Sequence, residues 1–414
     1  MAVHSYKRTH PAGRWDAIVI GSGIGGLTTA ALLAVHAGKR VLVLEKHYTP
    51  GGFTQVFKRP GYEWDTGLHY VGEMSGPESP LFSLFESVTG GEVRWARMPE
   101  CYDRVFLGGR RYDLVAGREP FVDTLARAFP SERESIREYL ALVLRASRRA
   151  IPFFADRALP GALSSTVGPL LRARFAPFAD RTVEEVLKPR LRDPELFDVL
   201  TAQCGDYGAT PREASFAVHA MVAAHFIDGG YYPVGGPATI ARAAARVIAR
   251  AGGAVYTNAN VERILVEEGR AVGVRMQGGE ILTAPLVVSD AGLPATYFKL
   301  LSAKVADATG MPRLIRRVGP SSAHLCLHVG ARRSDRELGL DGTNLWIYPD
   351  GDREAAFARF AEDLSAPLPL AYVSFPSAKD PSFAARYPGK STIVVITLAR
   401  MRHFERWRHT HWMK

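Results

Sequence analysis

The chain has little cysteine: Cys101, Cys204 and Cys326 are its only three, far apart and without a CxxC spacing. An odd, scattered set supports neither a disulfide framework nor a zinc site, and makes a reducing compartment the default. Long apolar runs are missing too. No uninterrupted segment approaches bilayer-spanning length, so a transmembrane anchor is not expected. The first apolar run follows Lys7, Arg8 and Arg14, as a secretory leader would, but patterned glycines break it and it reads as structure. There is no internal repeat, nucleophile triad or carboxylate pair, and no metal site is expected. His409 and His411 have a metal-compatible spacing, yet no further ligand stands near them in the sequence. Acids are the minority, 42 against 52 Lys and Arg, for a net charge of +10. The arginines are interspersed with Asp and Glu, not gathered in a stripe, which argues against a nucleic-acid partner. Two readings of the basic balance stay open: a surface facing anionic lipid, or an arginine-rich composition with no partner.

What is present begins with Ala17-Ile18-Val19-Ile20, which runs into Gly21-Ser22-Gly23-Ile24-Gly25-Gly26. An Ala/Leu-rich helix follows, and Val41-Leu42-Val43-Leu44 ends at Glu45. Strand, glycine turn, helix, strand and acid, about 20 residues apart, form the whole βαβ context of a dinucleotide site. Gly21 permits the tight turn, Gly23 lets backbone approach a diphosphate, and Gly26 lets the helix pack closely on the strand. The free N–H groups and positive end of that helix would face the diphosphate. Glu45 would accept from the adenosine ribose hydroxyls, which favours an unphosphorylated ribose over a 2′-phosphate.

Beyond Glu45 come the paired glycines Gly51 and Gly52, then an extended, aromatic-rich piece through Trp64-Asp65-Thr66-Gly67-Leu68-His69-Tyr70. From Pro80 to about His225 the pattern is mainly helical. It includes Leu170-Leu171-Arg172-Ala173-Arg174-Phe175-Ala176-Pro177-Phe178, apolar and basic, which fits either an interfacial lipid patch or a core helix. Tyr232-Pro233-Val234-Gly235-Gly236-Pro237 opens a helix from Ala238 to Ala251. A strand, a three-stranded meander and a last strand in Leu286–Gly292 would return the chain to the first βαβ unit. Alternating, aromatic strands near 323–329, 344–348, 370–375 and 391–396 suggest an antiparallel sheet.

With these motifs the chain resembles the flavin amine oxidase and phytoene desaturase superfamily, nearest the branch of retinol saturases and carotenoid isomerases. The Gly21–Glu45 unit, Gly51-Gly52, the Trp64–Tyr70 block, Tyr232–Pro237, Val261-x-x-Ile264 and Val287-Val288-Ser289 carry the likeness. It implies FAD. Gly21, Ser22, Gly23, Gly25 and Gly26 would surround the diphosphate, Glu45 and Lys46 the ribose, and Gly51 and Gly52 the cofactor's middle. Val261 would offer backbone hydrogen bonds to the adenine edge, or is an ordinary strand valine. Relatives finish with a glycine-rich segment, including an acid, along the ribityl chain. This sequence reaches Lys414 without one, so a shortened C-terminus is expected and FAD affinity is in question.

The expected fold is α/β. A discontinuous Rossmann-type FAD domain (1–75 and 229–300) joins an α+β substrate domain (76–228 and 301–414) with a helical insertion and an antiparallel sheet. The resemblance implies an FAD-dependent oxidoreductase acting on C=C or C–C bonds of an apolar polyene (a retinoid, carotenoid or other isoprenoid) by hydride transfer at flavin N5. Two alternatives stay open: a redox-neutral cis–trans isomerase using reduced FAD, and a non-catalytic remnant that binds nucleotide or lipid. NAD(P)H is a candidate electron donor, although no second complete GxGxxG with its acid follows the first. His69 and Tyr70 are the substrate-side candidates. His69 would orient substrate or deliver a proton, or would only hold its loop to neighbouring backbone. The expected location is cytoplasmic, with a peripheral variant on the cytoplasmic membrane face. The oligomeric state is open.

Overall fold

The computed structural model describes residues 2–349 and 351–410. His411, the second of the spaced histidines, lies outside them. Ala17–Ile20 and Val41–Leu44 are apolar at every position because both faces of their sheet are covered. That sheet is five-stranded and parallel, in the order Val3–Ser5, Ala254–Thr257, Val41–Leu44, Ala17–Ile20, Val287–Ser289. Strand alternation divides its side chains. Ala17, Val19, Val41, Val43 and Val255 cluster with Leu27, Ala30 and Ala31 of helix Ile24–Ala37 and with Ala241, Ala244 and Ile248 of helix Ala238–Arg250. Ile18, Ile20, Leu42, Leu44 and Tyr256 cluster instead with the antiparallel meander Val261–Glu267, Arg270–Met276, Ile281–Thr283. The edge strand Val3–Ser5 was not legible in the sequence. It has three residues, too few for a period, and exists through its pairing with Val255–Thr257.

The second sheet has six strands, in the order Ala323–Ala331, Ser391–Ala399, Ala371–Ser374, Asn344–Tyr348, Cys101–Leu107, Arg110–Val115. Two of them correct the reading of 80–225 as mainly helical: Cys101–Leu107 and Arg110–Val115 form a hairpin turned at Gly108-Gly109, both at positive φ. The cue was the Gly-Gly pair between alternating runs. Asn344–Tyr348 lies parallel to Cys101–Leu107, and the other neighbours are antiparallel. Tyr102, Val105, Trp346 and Tyr372 from this sheet share one core with Tyr139, Val143, Phe216 and Ala220 of helices Arg133–Ala155 and Phe216–Phe226.

Between the sheets runs the hairpin Val56–Arg59 and Tyr62–Asp65, tied to the second sheet by Trp64 Nε1 donating to the Val329 carbonyl at 2.9 Å. Val71 and Tyr231 exchange both backbone hydrogen bonds, at 2.7 and 2.9 Å. The segment carrying His69 is therefore anchored on both sides.

Candidate functional site

The glycine loop is shaped by what it cannot accommodate. A Cβ on Gly26 would lie 2.4 Å from the Gly21 carbonyl oxygen, so helix and strand approach too closely for any side chain there. Helix Ile24–Ala37 starts from Gly23 with no side-chain cap and no acid in its first turn, leaving its N–H groups for an anion. Gly52, at φ +54°, sits against this loop, where a Cβ would come within 2.9 Å of Gly23 Cα. Gly51 N donates to the Ser22 carbonyl at 3.0 Å and to Ser22 Oγ at 3.1 Å. The two glycine motifs thus form one cradle.

Ser22 also ties the cradle to the acid. Glu45 Oε2 accepts from Ser22 N at 2.9 Å and Ser22 Oγ at 2.7 Å, and Glu45 Oε1 accepts from His47 N at 2.7 Å. Ala259 N donates to the Glu45 carbonyl and Asn258 N to that of His47, which brings Val261 to the same edge. The Val261 side chain is buried beside the parallel sheet, and Lys46 is exposed. These residues fit FAD: a side-chain-free turn and open helix end for a diphosphate, and a held carboxylate for ribose hydroxyls.

Sequence reasoning missed Asp290. Its carboxylate oxygens lie 2.6 and 2.9 Å from where Cβ atoms on Gly23 and Gly25 would stand. The residue is exposed and ends the strand Val287–Ser289, so only tertiary structure lays it over the loop. A diphosphate there requires this side chain to turn outward, because two anions repel.

Glu45→Ala is expected to weaken FAD binding roughly ten- to hundredfold, since hydrogen bonds to a charged group contribute about 1.5–3 kcal/mol. Fluorescence titration of flavin-free protein with FAD measures this, and an unchanged Kd removes Glu45 from the ribose.

His69, expected to meet substrate, is buried, and neither ring nitrogen has a hydrogen-bond partner. The ring does not tether its loop to backbone. Nδ1 lies 3.7 Å from Asp65 Oδ2, which is itself buried and unpartnered, while Asp65 Oδ1 accepts from the Tyr232 hydroxyl at 2.5 Å. A buried carboxylate beside a buried imidazole is the arrangement that orients a proton-carrying histidine. The Tyr372 ring stands 5.7 Å away, centroid to centroid.

Tyr70 belongs elsewhere. It is stacked on Phe226 at 4.1 Å, and its hydroxyl donates to Asp103 Oδ2 at 2.9 Å. Burial and the nearby Asp103 charge push its phenol well above the usual range. Tyr70 is a core tyrosine whose hydroxyl is committed to a buried carboxylate. Asp103 also accepts from Gln203 Nε2 at 2.7 Å and Asn344 Nδ2 at 2.8 Å. Asn344 in turn accepts from Lys379. No motif pointed to this network, because its members come from five separated segments.

The model of the family described as "Flavin containing amine oxidoreductase" matches residues 24–407. The chain belongs to this family. It is an FAD-dependent oxidoreductase, as the cradle and the matched family agree. Among the relatives of this flavin-containing oxidoreductase, the all-trans-retinol 13,14-reductase of Danio rerio is 35% identical over 409 residues, or 95% of this chain and 67% of that protein. Prolycopene isomerase 1, chloroplastic, of an Oncidium hybrid cultivar is 27% identical over 419 residues, or 97% of this chain and 67% of that protein. Among solved structures, an oxidoreductase from Methanosarcina mazei aligns at TM-score 0.61 and 20% identity, over 94% of this chain and 80% of the other. That last likeness shows the fold alone.

Proposed function

We propose that this flavin-dependent oxidoreductase saturates a C=C bond of an apolar polyene of retinoid, carotenoid or other isoprenoid type. The observation that carries the reading is the buried Asp65–His69 pair with both imidazole nitrogens free of partners. The likeness to the retinol reductase supports the substrate class. When bound, FAD supplies hydride exchange at N5. Gly21–Gly26, Gly51, Gly52 and Glu45 would hold it, with Val261 offering backbone toward the adenine. Saturation adds a hydride to one alkene carbon and a proton to its neighbour. His69 delivers that proton from Nε2, and the Asp65 carboxylate, 3.7 Å from Nδ1, favours the protonated ring by its charge. The two electrons come from an external reductant, for which NAD(P)H is our proposal. Isomerisation, the second reading, is favoured by the likeness to the prolycopene isomerase and requires no net electrons.

The test is anaerobic incubation of the dithionite-reduced holoenzyme with all-trans-retinol, followed by chromatography and mass spectrometry. A product heavier by two hydrogens supports saturation; a cis–trans isomer of unchanged mass supports the second reading. His69→Gln is expected to retain flavin and lower saturation by about 10²- to 10⁴-fold, the usual share of a general acid. Wild-type turnover in that variant refutes its role.

We also propose a peripheral contact with anionic membrane from the cytoplasmic side. Ile151, Phe154, Leu163, Val167 and Leu170 are exposed on the helices Arg133–Ala155 and Gly161–Ala179, beside exposed Arg148, Arg149, Arg157 and Arg174. From 139 to 179 the one carboxylate, Asp156, is buried against Ser164 and Arg172. Phe175 turns inward, so the leucines and Phe154 carry the apolar contact instead. Among the described residues, no helix is long and apolar enough to cross a membrane.

A further inference from the structure

Lys379 has no role in the chemistry above, and it is buried. It ends the short helix Pro376–Lys379 that follows the strand Ala371–Ser374. Its ammonium donates to the His69 carbonyl at 3.0 Å, to Ser374 Oγ at 2.6 Å and to Asn344 Oδ1. It also stands 5.6 Å from the Tyr70 ring centroid, over the aromatic face. One cation thus joins the His69 segment to the strands Asn344–Tyr348 and Ala371–Ser374. A buried ammonium with three acceptors is a satisfied group, and losing its proton leaves at most two donors for them.

We infer that Lys379 is the positioning residue of His69: its three hydrogen bonds fix the His69 carbonyl to the second sheet, so the imidazole keeps its place beside Asp65 while the ammonium is protonated. This rests on the reading of His69 as the proton donor. The charged and titratable groups facing Lys379 are Asp65 from the hairpin and Asp103 from the strand Cys101–Leu107. His69 and Tyr70 face it from the linking segment, and Tyr372 from the adjoining strand. Asp206 lies 3.4 Å from the Tyr70 hydroxyl. Burial pulls the ammonium down to about 7, and the Asp65 and Asp103 charges resist that fall. Its proton therefore leaves within the working range of an enzyme.

The sign for stability follows directly. Between about 7 and the unfolded lysine value of about 10.4, the unfolded chain holds a proton that the folded chain has released. Wild type should therefore gain melting temperature relative to Lys379→Met as pH rises through that window.

The experiment uses dithionite-reduced holoenzyme with all-trans-retinol, plus nitrogen-15 histidine NMR of the oxidised holoenzyme. In wild type, saturation should fall about tenfold for each pH unit above 7, and the His69 ring signals should shift with the same midpoint. Lys379→Met should retain flavin, lose roughly 10- to 100-fold of turnover at pH 6, and show no break near 7. Lys379→Arg, always charged, should keep its activity above pH 7. A Lys379→Met enzyme with the wild-type profile and the wild-type His69 signals overturns the inference. Should that variant not fold, the wild-type NMR titration decides: a His69 signal blind to any event near pH 7 overturns it equally. Wild-type turnover in His69→Gln overturns the proton-donor reading instead, and the NMR shift then still tests whether Lys379 sets the ring's position.

Discussion

Gly26→Val is expected to yield a chain that retains no flavin and melts well below wild type. A Cβ alone would lie 2.4 Å from the Gly21 carbonyl oxygen, and that atom is backbone, held in place by Gly21 N donating to the Leu44 carbonyl at 2.8 Å. Neither strand nor helix can yield without opening the apolar contact of Val19 with Leu27 and Ala30. Overpacking of this kind costs about 1–3 kcal/mol, and more where only backbone can move. Gly23→Ala is the control. Its Cβ meets the Asp290 carboxylate at 2.6 Å, the end of an exposed side chain that can swing away. That variant should fold and melt near wild type while binding FAD more weakly, because the added methyl stands where the diphosphate approaches. Visible absorption of the purified proteins and thermal melts separate the two effects. If Gly26→Val is yellow and stable, the close approach at Gly26 is not what the fold depends on.

Asp103→Leu is expected to destabilise the chain by about 3–5 kcal/mol, the usual cost of removing one partner from a buried charged network. Tyr70 Oη, Gln203 Nε2 and Asn344 Nδ2 all donate to this carboxylate, and each would be left buried without it. Against a total stability of about 5–15 kcal/mol the loss is severe. Urea unfolding at constant m-value measures it. The pH dependence carries its own sign. Burial raises the Asp103 carboxyl above its ordinary value, and the hydrogen bonds from Asn344, Gln203 and Tyr70 offset this only in part. A raised folded pKa means that the contribution is fully present below the unfolded value of about 3.9 and declines as pH rises through the folded one. The gap between wild type and Asp103→Leu should therefore widen on acidification. A gap of under about 1 kcal/mol at every pH would falsify the network as a stabilising unit.

Some of this protein was written locally. The strand–Gly–helix–strand–acid unit from Ala17 to Glu45 lies within one stretch whose periods, glycines and charge each point to the same turn, so the flavin fold and its cradle were legible residue by residue. The meander and the strand Val287–Ser289 were legible for the same reason: short apolar runs punctuated by glycine. His69 could be singled out by its motif, but not its surroundings. Whether its ring would bind backbone or face a carboxylate depends on how the hairpin packs on the second sheet, through Trp64 and Val329. The hairpin Cys101–Val115 left a local trace in Gly108-Gly109 that its helical surroundings masked, and only its seat beside Asn344–Tyr348 is remote in sequence. Asp290 over the glycine loop, Tyr70 on Asp103, and Lys379 on the His69 carbonyl belong to tertiary structure alone. Backbone turns and strand periods are local properties and leave a local trace. A buried polar contact is satisfied by whichever distant group the fold delivers, so no single segment carries its signature.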